Sequence, residues 1–141
     1  VAKEPVIDNR IFLNGNRLFF LEPMESSSTQ AYLEMARAVF DYYLQGRVSA
    51  VHVKEDITEY IKKLQNFVLW HYQFGSKYDT PFWEYAKTLT FKDETFDKFL
   101  GYSKISDCIP ITYGGTTQNK TYGQWPAYSF KNWNEGMTLN T

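Results

Sequence analysis

The chain has 141 residues, the size of one ordinary domain. Hydrophobic residues make up 43% and aromatics 18%, which supplies a packed core and excludes global disorder. Fifteen Lys and Arg against sixteen Asp and Glu give a net charge of -1, which excludes a nucleic-acid binder working through a basic surface.

The first turn signal is Asn14-Gly15-Asn16, between Arg10-Ile11-Phe12-Leu13 and Arg17-Leu18-Phe19-Phe20-Leu21. Asn-Gly between two apolar runs predicts a tight hairpin, because both residues tolerate positive φ. Glu22-Pro23 breaks the second strand, and Ser26-Ser27-Ser28-Thr29 offers N-cap residues for a helix. Ala31, Leu33, Met35, Ala36, Val39, Phe40, Tyr43 and Leu44 give that helix its apolar face, and Gly46 ends it. Val48 to Val53 is predicted to be a connector. A second long helix follows Lys54-Glu55-Asp56, with Ile57, Tyr60, Ile61, Leu64, Phe67, Val68 and His71 inward and Gly75 as its stop. Asp79-Thr80-Pro81 opens a third helix, with Pro at its first turn. A fourth is predicted over Lys92 to Tyr102. Ile105 to Thr121 is Gly-, Thr- and Asn-rich and reads as an ordered loop. Trp125 to Met137 is an aromatic tail, with a short helix expected after Pro126.

The fold class expected is mainly α (α+β), a helical domain with an N-terminal β-hairpin. It is a single segment over 1–141: hairpin and turn at 10–29, helical bundle at 30–104, loop and aromatic tail at 105–141. A two-stranded ribbon is marginal alone, and the first residue is Val rather than Met, so the chain reads as a piece of a longer protein. Cys108 is the only cysteine, which excludes an internal disulfide and a multi-cysteine metal site. A reducing, cytoplasmic setting is the corresponding expectation. No apolar run approaches the ~18–20 residues needed to span a bilayer, so no membrane partner is expected. His52 and His71 are the only imidazoles, and nothing in their spacing suggests a metal site.

The informative stretch runs from Gly15 to Ser28. Phe20-Leu21-Glu22-Pro23-Met24-Glu25-Ser26 resembles the late flavin-contacting segment of the flavin-dependent halogenases, the tryptophan-halogenase-like family. That segment reads approximately Gly-Asp-Ala-Ala-Gly-Phe-Leu-Glu-Pro-Leu-Glu-Ser-Thr-Gly. Trp70-His71-Tyr72 and Asp79-Thr80-Pro81-Phe82-Trp83 are similar to the family as well. The resemblance is good from about Arg10 to Trp83 and looser beyond.

The resemblance implies a C-terminal portion of a larger flavin monooxygenase-type fold. It also implies FAD, used reduced, as cofactor, with a halide ion and an electron-rich aromatic such as an indole as reactants. A flavin reductase is an implied partner. Glu25 matches the carboxylate that supports the cationic ring intermediate and accepts its proton. Gly15, Asn16, Pro23 and Ser26 match cofactor-contacting positions, with Ser26 linking the flavin and halogenation sides. Ser27 and Ser28 match the Thr-Gly pair whose backbone holds halide. Tyr128 and Asn132 are the substrate-pocket positions expected in the tail. Two departures stand out: Ser28 replaces a glycine, and Asn16 replaces an aspartate. The family's Gly-x-Gly-x-x-Gly fingerprint is absent from these residues, and no lysine here matches the family's catalytic one. The isolated chain is therefore expected neither to halogenate nor to hold flavin tightly.

The same residues admit a plainer reading. Serines beside an acidic residue are ordinary helix-capping chemistry, and His71 between aromatics is ordinary core. The alternative function is a free-standing helical interaction module without catalysis.

Overall fold

The computed structural model describes residues 1–21, 26–74, 78–90, 121–122 and 125–126. The chain divides into two compact units, Val1–Gln65 and Asn66–Thr141. The described residues are mostly helical, with an N-terminal antiparallel hairpin, as the sequence predicts.

In the first unit, β1 (Val6–Ile7) pairs with β2 (Ile11–Phe12), placing Val6 opposite Phe12 and Ile7 opposite Ile11. The hairpin turns at Asp8 and Asn9, not at Asn14-Gly15. Asp8 and Asn9 take φ of 50° and 55°, and Arg10 N–H donates to the Ile7 carbonyl at 3.0 Å. Both residue types tolerate the left-handed region, which tight hairpins require.

Gly15 also uses positive φ (58°), but to open a 3-10 turn over Gly15–Arg17. Asn14 caps that turn by accepting from Gly15 N–H at 2.8 Å. The predicted strand over Arg17 to Leu21 does not form. Leu18 and Phe19 are adjacent and both 0% exposed. A strand of a two-stranded ribbon would send them to opposite faces, leaving one in water.

Helix α1 (Ser27–Arg37) begins inside the serine run and continues as a π-helical segment over Ala38–Tyr43. Gly46, at φ 67°, closes it: Gly46 N–H donates to Tyr43 O and Arg47 N–H to Tyr42 O, each at 2.9 Å. This is the paired-carbonyl termination that a left-handed glycine permits. The apolar face differs from the periodic reading. Ala31 and Met35 are buried, whereas Leu33, Phe40 and Leu44 are each more than half exposed. For Phe40 and Leu44 the cause is the π turn, which inserts one residue into the helical count, so the 3.6-residue pattern stops matching the buried side beyond Arg37.

Helix α2 (Ala50–Phe74) begins within the stretch read as a connector. Ser49 is its N-cap, accepting from His52 N–H at 3.3 Å. Ala50, Val53, Ile57, Ile61 and Leu64 recur at three- and four-residue steps and are buried. With Val6, Leu18, Phe19, Ala31 and Met35 they form the core of the first unit.

In the second unit, Phe67, Val68, Trp70 and His71 continue the buried face of α2. His71 Nδ1 lies 2.7 Å from the Phe67 carbonyl, and its ring is 4.5 Å from that of Phe67 and 5.5 Å from that of Trp70. That is a histidine built into packing. Helix α3 (Pro81–Thr88) starts where Asp79-Thr80-Pro81 predicts, with Pro in its first turn. Tyr72 stacks on Trp83 at 5.7 Å, and Phe82 meets Trp83 edge-on at 5.0 Å. In the tail, β3 (Thr121–Tyr122) pairs antiparallel with β4 (Trp125–Pro126). The predicted fourth helix, the loop up to residue 120 and the helix after Pro126 lie outside the described residues. Among the described residues no helix is long and apolar enough to cross a membrane, and no cluster of His, Cys, Asp and Glu could hold a metal.

Candidate functional site

Of the positions singled out by sequence, Gly15, Asn16, Ser26, Ser27 and Ser28 are described, and they lie at or beside the start of α1, within the first unit. Ser26 is the N-cap residue, yet its backbone is left-handed, with φ 56° and ψ 27°. Its side chain makes no capping hydrogen bond. An ordinary serine cap sits in the β region and accepts from the second or third helical N–H. A non-glycine residue held in the left-handed well costs on the order of 1–3 kcal/mol and is retained where its surroundings impose it. The capping reading of this serine therefore fails on geometry.

Ser27 is fully buried and Ser28 nearly so. Ser28 Oγ accepts from Leu21 N–H at 3.1 Å and donates to the Leu21 carbonyl at 3.3 Å. One hydroxyl thus satisfies both backbone groups of Leu21 and ties the end of the preceding segment to the first turn of α1. A glycine could not make this clamp. The substitution at Ser28 also requires no glycine-only backbone: Ser28 is helical, and the positive φ falls on Ser26. No acidic side chain occupies the first turn of α1. That turn presents N–H groups and the positive end of the helix dipole, which together favour an anion.

Asn14 and Asn16, on either side of Gly15, are held to the same helix by Tyr32. The Tyr32 hydroxyl lies 2.8 Å from Asn16 Oδ1 and donates to the Phe19 carbonyl at 2.7 Å, while Asn14 Nδ2 donates to the Tyr32 carbonyl at 3.2 Å. The hydroxyl has one proton, so Asn16 and Phe19 share it. At Gly15, nothing lies within 4 Å of where a Cβ would stand, so the backbone there is open to close approach.

Tyr32 and the clamp role of Ser28 escape a reading by periodicity. Their signal is spacing: Ser28 and Tyr32 are four residues apart and share a helix face. Pro23, Glu25, Tyr128 and Asn132 lie outside the described residues. Gly15, Asn16, Ser26, Ser27 and Ser28 are brought onto one scaffold, α1 with the turn that Tyr32 fastens to it.

The sequence profile of the tryptophan halogenase family matches residues 5–136. Tryptophan 6-halogenase ThaL from Streptomyces albogriseolus is 30% identical over 121 residues, which cover 83% of this chain and 22% of that relative. The chain thus spans about a fifth of the length of the curated relative it matches. No solved structure matches it significantly. With the profile running over almost the entire sequence, and a relative aligned over most of it, the chain belongs to the tryptophan halogenase family.

Proposed function

We propose that this chain is the C-terminal portion of a flavin-dependent halogenase that oxidises halide and halogenates an electron-rich aromatic such as an indole. The observation that carries the reading is Ser26: a strained, uncapped serine at the entry to α1, inside the segment with the closest resemblance to the family. Strain at such a position is a motive for function, since capping does not account for it.

The residues present fit one side of a flavin site. Gly15 has open space at its α-carbon and Asn16 is exposed beside it. Gly15, Asn16, Pro23 and Ser26 would hold FAD, which in its reduced form supplies the electrons that let oxygen oxidise halide. Ser27 and Ser28 would hold the halide at the start of α1, where backbone N–H groups and the helix dipole favour an anion. The Glu25 carboxylate would stand beside the aromatic ring, support the positive charge that develops as halogen adds, and accept the ring proton. Tyr128 and Asn132 would contact the substrate, and a flavin reductase would be the partner supplying reduced cofactor. This chain provides one wall of such a site, so by itself it should bind flavin weakly and should not halogenate.

The test uses the longer protein that contains these residues. Glu25→Gln should slow halogenation by about 10²–10³-fold, the scale of losing an oriented electrostatic stabiliser. Oxygen consumption by reduced flavin should stay nearly unchanged. Equal loss of both would assign Glu25 to holding the serine turn, and unchanged halogenation would remove it from the mechanism.

A further inference from the structure

One cleft of the first unit has no part in the reading above. It has a volume of about 330 Å³ and is bordered by Glu34, Arg37, Tyr42, Asp56, Ile57 and Tyr60. Glu34 lies seven residues beyond Ser27, roughly 10 Å along α1 at 1.5 Å per residue. We propose that this cleft binds a small organic ammonium ion with an apolar body, its charge met by Asp56 and its body by the ring of Tyr60.

The charges decide the class of ligand. Two carboxylates and one guanidinium line the cleft. The guanidinium is already committed: Arg37 Nη1 is 4.0 Å from Glu34, Nη2 is 3.3 Å from the Tyr42 hydroxyl, and its carbon sits 5.9 Å from the Tyr42 ring centroid. Glu34 also accepts from Gln30 Nε2 at 3.1 Å. Asp56 forms no ion pair among the described residues. The cleft therefore carries an uncompensated negative charge beside aromatic rings, the setting that favours a cation over an anion.

Two structural features support this. Arg37 and Tyr42 are five residues apart, a spacing that an α-helix turns away from a shared face. The π segment Ala38–Tyr43 widens the turn and brings them together. Such single π turns recur at functional sites. Tyr60 is half-buried, and its hydroxyl is pushed up to about 12, first by burial and then by the Glu34 charge. It stays a neutral phenol at any physiological pH, keeping an uncharged ring in the cleft. A volume at the lower end of small-molecule pockets suits a compact amine.

Amide-shift titration of the 141-residue chain with 2-phenylethylammonium, and in parallel with phenylacetate, tests the proposal. The amine should saturate, with shifts concentrated around Arg37, Asp56 and Tyr60, and the carboxylate should not. Asp56→Asn, an exposed change that leaves the helix face intact, should weaken the amine by about tenfold, the usual scale for removing one charged partner. Tyr60→Phe should weaken it less, with an unchanged circular dichroism spectrum. Phenylacetate binding as tightly as the amine, no saturation by the amine, or undiminished binding by the Asp56→Asn chain would each overturn it.

Discussion

Helices α1 and α2 are both entered through a serine, and the two serines behave differently. Ser49 accepts from His52 N–H and lies 2.8 Å from His52 Nδ1, so its hydroxyl is fully used in starting α2. Ser26 sits in the left-handed well with no capping bond, and the polar work at the start of α1 falls to Ser28. The same residue type at the same position is thus a stabiliser in one helix and a strained residue in the other. Helix starts in this protein cannot be explained by propensity alone. The start of α1 spends stability, and the segment it belongs to is the one that most closely resembles the tryptophan halogenase family.

That contrast can be broken by substitution, and the largest effect should come from the clamp. Ser28→Ala keeps the volume near constant and removes the hydroxyl that partners both backbone groups of Leu21. It should destabilise the chain by about 1–3 kcal/mol, the cost of leaving part-buried backbone groups unsatisfied. Urea unfolding followed by circular dichroism measures it, and a change under about 0.5 kcal/mol would mean that water replaces the hydroxyl.

A smaller loss is expected at α2. Ser49→Ala removes an ordinary cap and should cost about 1 kcal/mol in the same unfolding experiment. Substituting His52 with alanine should leave most of that cap energy in place, because the bond to its backbone N–H survives.

The smallest effect, and the one with the opposite sign, belongs to Ser26. Ser26→Gly should be neutral or stabilising by up to about 1 kcal/mol, since glycine enters the left-handed region without a Cβ penalty. Ser26→Ala should stay within about 0.5 kcal/mol of the parent, as no cap is lost. A loss of about 1 kcal/mol on Ser26→Ala, matching Ser49→Ala, would show that the two helix starts are alike after all and would take the strain argument away from the proposed function.

Much of this protein is legible without coordinates. Gly46 stops the first helical stretch because a left-handed glycine can close both end carbonyls, and Asp79-Thr80-Pro81 starts α3 because Pro fits the first turn. The inward residues of α2 follow from their spacing, and the family follows from Phe20-Leu21-Glu22-Pro23-Met24-Glu25-Ser26. These are properties of neighbouring residues: backbone preference, local hydrogen bonding and a period of 3.6. Tertiary structure decided the rest. The hairpin moved to Asp8-Asn9 because Leu18 and Phe19 both had to be buried, a demand that no strand in a two-stranded ribbon can meet. The π turn took Phe40 and Leu44 off the buried face and set Tyr42 against Arg37. Ser28 found Leu21, seven residues away, and Tyr32 found Asn16, sixteen residues away. A local pattern cannot select such partners, because their bonds exist only once the core has brought distant segments within reach.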